Sequence, residues 1–196
     1  MLFKRLAIGA SLLFCTSLAG CLWSSQLSTQ WSENFALATY GAEATPPEFN
    51  DGKLETIATV AAKNERIFML KFPAVKRVRK IIIHNDNLFR FDVDYWDPDK
   101  LEWKTVYSVR QRRDIENQRA QAEYVMERLN FQTNMLRINV SRTVDDDVVN
   151  KPIAEPGDKV VNRKMTVGGL YYPHYRVVKP SVAKIREIEV YNLATQ

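Results

Sequence analysis

Residues 91–107 read FDVDYWDPDKLEWKTVY, and this stretch decides the fold. In its first half Phe91, Val93 and Tyr95 alternate with aspartates, so the three apolar side chains share one face of a strand. Residues 96–100 then place a proline and two aspartates where turns favour them. After the turn, aromatic and β-branched residues resume. The pattern predicts an antiparallel hairpin with one buried face.

The two faces of this hairpin have different predicted environments. Asp92 and Asp94 fall on the face opposite the apolar residues and are expected to meet water. Trp103 stands where the second strand re-enters the sheet, and a large aromatic ring there is expected to fill the core.

Strand patterns continue on both sides of the hairpin. Runs rich in β-branched and aromatic residues predict further strands at 67–72, 78–84, 124–131, 135–140 and 185–191. The first of these is expected to stop at Pro73, because proline cannot donate to a sheet. Residues 114–123 have high helix propensity and form either a short helix or a long loop.

Residues 141–180 interrupt this rhythm as a long insertion. They hold four prolines, the acidic run 145–147 and the glycine pair 168–169. A segment this long without a strand pattern is typically a functional loop or disordered. Many short strands separated by turns, without an internal repeat, indicate an all-β sandwich.

The N-terminus carries a targeting signal. Lys4-Arg5, an apolar run and the small residues before Cys21 form a secretory signal peptide over residues 1–20. The apolar run is too short for a good membrane-spanning helix. Leu18-Ala19-Gly20-Cys21 resembles the lipobox of bacterial lipoproteins. The alternative is an ordinary secretory signal with a chance cysteine.

The lipobox resemblance implies an extracytoplasmic, lipid-anchored protein. Cleavage before Cys21 would leave that cysteine acylated, with palmitate among its chains, and residues 21–33 would be a polar tether. The folded domain is then predicted over 34–196. Leu22 is not the aspartate that retains lipoproteins in the inner membrane of enteric bacteria, so the outer membrane is favoured.

Composition limits the classes of partner. Without the signal peptide 176 residues remain, about one domain. Their net charge is +3, because the signal holds two of the 28 basic residues and none of the 23 acids. This mild, scattered charge argues against nucleic acid. Cys15 lies in the signal and Cys21 would be acylated, so the mature domain depends on core packing without disulfides.

Short motifs follow one another in a recognisable order over 34–192. They are Asn34-Phe35-Ala36, Gly41-Ala42-Glu43-Ala44, Asn50-Asp51-Gly52 with Thr56, Val78-Arg79-Lys80-Ile81-Ile82-Ile83, the hairpin residues Phe91, Val93, Tyr95, Asp97, Trp103 and Val106, Arg137-Ile138-Asn139-Val140, and Glu187-Ile188-Glu189-Val190-Tyr191. In this order they resemble discoidin-type domains, also called coagulation-factor type C or galactose-binding-like domains. The resemblance implies an antiparallel jelly-roll sandwich of about eight strands.

The same resemblance implies a structural calcium ion, because many members of the family carry one near the first loop. Its ligands would be Asp51, Thr56 and Glu187, with backbone carbonyls from residues 49–53, since calcium takes six to eight oxygens. The Lys53 ammonium could replace the ion. The alternative is an Asn-Asp-Gly turn beside an exposed or salt-bridged glutamate.

Two segments have side chains suited to ligand binding. Members of the family bind sugars or lipid head groups with loops at one end of the sandwich. Amide, guanidinium and aromatic groups of that kind stand at His84, Asn85, Asn87, Phe89 and Arg90. Tyr172 and His174 in the insertion are a second aromatic candidate. The alternatives are a turn at the first segment and a covering of apolar surface at the second.

Catalysis has little support in the sequence. The chain has two histidines, His84 and His174, and neither lies in a nucleophile, zinc or phosphate-binding motif. A hydrolase is therefore the weakest hypothesis. The sequence favours a carbohydrate-binding lipoprotein without enzymatic activity, which contacts a membrane through its anchor and a glycan through its loops. An adaptor that docks other envelope proteins through residues 141–180 is the alternative.

Overall fold

The computed structural model describes residues 30–61, 65–110, 120–156, 158–165 and 173–194. The chain divides into two compact units, residues 1–31 and 32–196, and the fold below is that of the second. No helix within the described ranges has the length and apolar character needed to cross a membrane. The signal peptide, Cys21 and most of the predicted 114–123 segment lie outside the described residues.

Strands dominate the described part of the chain. Two short 3-10 helices cover Ala38–Tyr40 and Pro47–Asn50. The strands are β1 (Glu43–Thr45), β2 (Ala58–Val60), β3 (Ile67–Val78), β4 (Lys80–Asn85), β5 (Leu88–Asp97), β6 (Glu102–Arg110), β7 (Glu123–Met126), β8 (Phe131–Thr143), β9 (Asp147–Lys151), β10 (Lys159–Met165), β11 (Pro173–Lys179) and β12 (Ala183–Tyr191).

Nine of these strands form the two sheets of a sandwich. One sheet has the order β1-β3-β8-β5-β6 and the other the order β2-β12-β4-β7, with antiparallel pairing throughout. The prediction of an all-β antiparallel sandwich is confirmed, with nine strands where about eight were expected. Both sheets are amphipathic, which is why they must pack face to face.

The core lies between the inner faces of these sheets. The five-stranded sheet contributes Phe91 and Val93, both fully buried, and Tyr95 packs against them, as the alternation predicts. From β7 of the opposite sheet, the ring of Tyr124 meets that of Phe91 edge-on, with centroids 5.0 Å apart. Edge-to-face pairs of this kind add to the free energy gained by burying both rings.

Strand β3 runs further than predicted. The expectation that it stops at Pro73 is wrong, because it continues to Val78. Its register against β8 shifts between Lys71 and Lys76, so the proline falls in an irregular stretch without regular pairing. A bulge tolerates a residue that has no N–H to donate.

The insertion has strand structure that its sequence does not reveal. The expectation of a long loop is wrong for its described part, because β9, β10 and β11 form a separate antiparallel sheet with β11 in the middle. Val177 and Val178 are both buried although neighbouring residues of a strand point to opposite faces. Both faces of β11 are therefore covered at that point.

A buried ion pair joins the sandwich to the base of this insertion. Arg66, just before β3, donates from Nη1 and Nη2 to the two carboxylate oxygens of Asp146, at 2.7 and 3.1 Å. The Asp146 side chain also accepts hydrogen bonds from Thr143 and Ser181. Arg66 and Asp146 are 4% and 2% exposed. This Arg66–Asp146 pair fixes the two chain segments that lead into and out of the insertion.

The ends of the folded unit are hydrogen-bonded to each other. The Ser32 N–H donates to the Asn192 carbonyl, and the Asn192 N–H donates to the Ser32 hydroxyl, each at 2.9 Å. The Phe35 N–H donates to the Val190 carbonyl at 3.1 Å. The entering chain therefore lies beside the C-terminal end of β12.

Candidate functional site

The loop after the second 3-10 helix brings the three proposed calcium ligands together. Thr56 Oγ1 donates to the Asp51 carboxylate at 2.9 Å, and the Gly52 N–H donates to Glu187 Oε2 at 2.9 Å. Gly52 has φ of 78°, a conformation that glycine adopts at little cost. Glu187 sits at an irregularity in the pairing of β12 with β4, between Ile185 and Glu187.

Glu187 is an unusual carboxyl group, because its alternation with Ile188 and Val190 predicts that it lies on the face of the strand that meets water. It is 2% exposed, and its Oε1 is buried without a hydrogen-bond partner among the described residues. Burial raises the pKa of the Glu187 carboxyl to about 7, and the nearby Asp51 carboxylate adds to the rise. A buried oxygen acceptor beside a second carboxylate favours a cation or a proton at this point.

The residues of this loop fit a hard cation such as calcium. Asp51 and Glu187 supply carboxylate oxygens, Thr56 a hydroxyl, and carbonyls of the turn could complete an oxygen shell. Among the described residues, no group of three or more histidine, cysteine, aspartate or glutamate side chains is arranged to hold a metal ion, so carbonyls would have to contribute. Lys53 is exposed, and no salt bridge among the described residues joins its ammonium to Asp51 or Glu187.

The segment 84–90 is less open than its sequence implies. Asn85 is 4% exposed, donates to the carbonyls of Leu88 and Gln121, and accepts from the Leu88 N–H. Asn87 is 2% exposed and uses its amide on Asp145, Val182 and Lys184. Both amides fix the turn between β4 and β5. In this structure the two amides form hydrogen bonds within the protein.

The other residues of that segment are divided between core and surface. Phe89 is buried at 6% exposure, and the Arg90 guanidinium lies 5.9 Å from its ring centroid. His84 lies on β4, where its Nε2 is 2.8 Å from Glu189 and its Nδ1 is 3.8 Å from Glu123. The five predicted residues therefore do not form one cluster, and ligand binding by them stays a prediction.

The predicted platform in the insertion is only partly described. Tyr172 lies outside the described residues, as does Cys21. His174 belongs to β11 and pairs with Lys164 of β10. Its role in ligand binding stays a prediction.

A cluster that sequence reasoning did not identify lies on the outer face of the five-stranded sheet. The expectation that Trp103 fills the core is wrong, since it is half-buried and packs on Trp96 with ring centroids 5.6 Å apart. The reason is strand geometry: Trp96 follows the inward Tyr95 and so faces outward, and Trp103 is its register partner. The alternation along β5 could have revealed this, because it places Trp96, and with it the register partner Trp103, on the outer face.

Asp94 lies at the centre of this outer face. Its carboxylate accepts from Thr105 Oγ1 at 2.7 Å, Arg137 Nε at 2.9 Å and Asn139 Nδ2 at 3.4 Å. Its side chain is only 6% exposed, so the expectation that Asp94 meets water is wrong: neighbouring side chains cover it. The Arg137 guanidinium lies over the Trp103 ring, 4.3 Å from its centroid.

Comparisons with known proteins identify the fold. No protein family and no curated protein matches the chain at the sequence level. Among solved structures, the family 32 carbohydrate-binding module from Streptococcus pneumoniae EndoD has 14% identity and a TM-score of 0.50. The match covers 82% of this chain and 99% of that module.

Two larger proteins contain a similar sandwich. The truncated AlyQ, with CBM32 and alginate lyase domains, has 10% identity and a TM-score of 0.51, over 86% of this chain and 35% of that one. SpGH29 has 12% identity and a TM-score of 0.50, over 83% of this chain and 28% of that one. The chain thus spans about a third or less of these two proteins. Its fold is that of a galactose-binding-like β-sandwich, as in the EndoD module.

Proposed function

We propose that this protein binds glycans as a lipid-anchored component of a bacterial cell envelope, and that it acts without catalysis. The observation that carries the proposal is the correspondence of its sandwich with nearly the whole length of a carbohydrate-binding module. At 14% identity this correspondence concerns the fold, and one sandwich serves many functions. The ligand class is therefore the part that an experiment must establish.

A glycan array probed with the purified protein tests the binding function. We expect binding to at least one glycan, with a dissociation constant in the millimolar range or below, because the sandwich corresponds to a carbohydrate-binding module over nearly the whole length of that module. A competing soluble oligosaccharide should abolish the signal. Absence of binding to every glycan at millimolar concentration would contradict the proposal.

The anchor at Cys21 is the second part of the proposed function. Cells grown with radiolabelled palmitate should incorporate label into the wild-type protein and none into Cys21→Ser, because the acyl chains require that thiol. Cys15→Ser is the matched control and should keep the label, since Cys15 lies within the predicted signal peptide. Equal labelling of the wild type and Cys21→Ser would refute the anchor.

We also propose that the loop of Asp51, Thr56 and Glu187 binds calcium. In metal-free solution, stability should fall as pH rises from about 4.5 to 8. The reason is that the Glu187 carboxyl has a higher pKa in the folded than in the unfolded protein. Its contribution to the free energy of unfolding is complete below pH 4.5 and is lost as pH rises through about 7. The shift from 4.5 to about 7 corresponds to roughly 3 kcal/mol. Calcium should raise the melting temperature most at pH 8, where Glu187 is ionised.

Glu187→Gln tests whether the Glu187 carboxyl causes both effects. A neutral amide carries no buried charge, so this variant should lose both the pH dependence and the response to calcium. Glu55→Gln is the control, because Glu55 is an exposed glutamate of the same loop. An unchanged wild-type melting temperature with calcium and with chelator would count against the site.

One observation favours an adaptor function as the alternative. The sheet of β9, β10 and β11 has two edge strands, and Ile153 beyond β9 is 73% exposed. Unpaired edges and exposed apolar residues are common features of protein-docking surfaces. A photo-crosslinker at position 153 should capture an envelope protein in cells if this function holds, whereas a purely glycan-binding protein should give no protein adduct.

A further inference from the structure

The outer face of β5, β6 and β8 carries an aromatic and polar cluster, which we call the tryptophan face. It consists of Asp94, Trp96, Trp103, Arg137 and Asn139. The cluster spans three neighbouring strands, with Trp96 opposite Trp103 and Asp94 opposite Arg137 in the register. Residues on hydrogen-bonded neighbouring strands hold fixed positions relative to one another.

The two indole rings are exposed to solvent in part. Trp96 and Trp103 are half-buried, and neither belongs to the core between the sheets. Their rings meet at 68°, so they form an angled aromatic surface. Burying an indole usually contributes much more to folding than packing it on an outer sheet face does. Two tryptophans at such positions therefore point to a binding role.

The polar groups of the face retain hydrogen-bonding capacity. Arg137 uses its Nε on Asp94, and within the described part of the chain its Nη1 and Nη2 atoms donate to no other group. Its side chain is 25% exposed. The guanidinium is held in place both by Asp94 and by the Trp103 ring, so a ligand oxygen would meet pre-positioned donors.

The charges of the face cancel locally. Arg137 pairs with Asp94 at 2.9 Å, and on the same sheet Arg110 pairs with Asp92. The residues that make up the tryptophan face therefore carry no net charge that would attract an acidic ligand. An uncharged ligand with one apolar face and several hydroxyl groups matches both the indoles and the polar groups.

We propose that the tryptophan face is the site where this protein binds a neutral oligosaccharide. The inference rests on the proposed glycan-binding function, and it assigns that function to the face of a sheet and not to the 84–90 segment. The indoles stack on the apolar faces of sugar rings. The Arg137 donors and the Asn139 amide bind ring hydroxyls. Because the face spans three neighbouring strands, it offers contacts to more than one sugar unit.

Titration calorimetry of the full chain in detergent tests the proposal. The probes are cellotetraose, chitotetraose, mannotetraose and β-1,4-galactotetraose, with tetragalacturonate as the charged comparison. We expect a neutral tetrasaccharide to bind and to change the tryptophan fluorescence. Trp103→Ala should weaken this binding about 30-fold, the loss typical of a central aromatic contact. Tyr107→Ala is the control, since Tyr107 is a 40% exposed aromatic of the same strand outside the face.

A second variant keeps the test valid if Trp103→Ala does not fold. Trp103→Phe retains a ring and should show an intermediate loss of affinity with an unchanged denaturation curve. Wild-type affinity in a folded Trp103→Ala or Trp96→Ala would overturn the tryptophan face and leave glycan binding intact. If tetragalacturonate were the only probe to bind tightly, the proposal that the ligand is neutral would be wrong. Absence of binding to every glycan on the array would instead contradict the proposed glycan-binding function itself.

Discussion

Asp146→Ala is expected to lower the free energy of unfolding by about 3–5 kcal/mol, the usual cost of removing one partner of a buried ion pair. The variant would leave the Arg66 guanidinium, 4% exposed, without its carboxylate. The hydrogen bonds from Thr143 and Ser181 to that carboxylate would be lost as well. Urea denaturation followed by circular dichroism measures the difference.

The neighbouring Asp147 provides a matched control. Its carboxylate is exposed and, within the described part of the chain, accepts a hydrogen bond from the adjacent Val148 N–H alone, so Asp147→Ala should change stability by less than about 0.5 kcal/mol. Equal destabilisation by the two variants would contradict the importance assigned to the Arg66–Asp146 pair.

The Arg66–Asp146 pair also predicts that the protein loses stability at low pH. Burial alone would raise the pKa of Asp146, but the hydrogen bonds from Arg66, Ser181 and Thr143 outweigh it and hold that pKa at about 2. A carboxyl with a lowered folded-state pKa stabilises the protein fully above pH 4, and this contribution is lost as pH falls toward 2. The shift corresponds to about 2 kcal/mol. Asp146→Ala should remove this part of the acid sensitivity.

Phe91→Ala is expected to destabilise the sandwich by about 3–5 kcal/mol, because it removes a fully buried ring and leaves a cavity between the sheets. The Tyr124 ring, 5.0 Å away across the core, would lose its partner. Thermal and urea denaturation both report the change. The m-value should stay constant if the fold is kept.

Two comparisons show whether the loss comes from the core. Phe91→Leu preserves most of the volume and should cost clearly less. Ile153→Ala removes apolar atoms from a residue that is 73% exposed and should have almost no effect. A small effect of Phe91→Ala would mean that the two sheets do not depend on this contact.

The architecture could be predicted from the sequence because alternation over two residues determines which face of a strand is buried. Phe91, Val93 and Tyr95 show this, since all three lie in or against the core. The insertion could not be predicted in the same way. Its strands β9 to β11 carry charged and polar residues among valines, so the alternation that marks a sheet packed on a core is missing.

Candidate sites were harder to predict, because they depend on side chains from distant parts of the chain. The grouping of Asp51, Thr56 and Glu187 came from a family resemblance, and the structure brings these three residues together. The burial of Glu187 could not be foreseen, because it follows from the irregularity beside it in β12. The environment of Trp103 depended on its register partner Trp96, which only the length of the turn determines.

The hydrogen bonds between Ser32 and Asn192 have a consequence for protein engineering and evolution. Because the two ends of the folded unit touch, a linker of a few residues could join them, and the chain could be reopened in the turn at its exposed residues 99–101. Circular permutants of this kind should keep the sandwich. For the same reason the unit could be spliced into a surface loop of another protein without separating the host residues on either side of the splice.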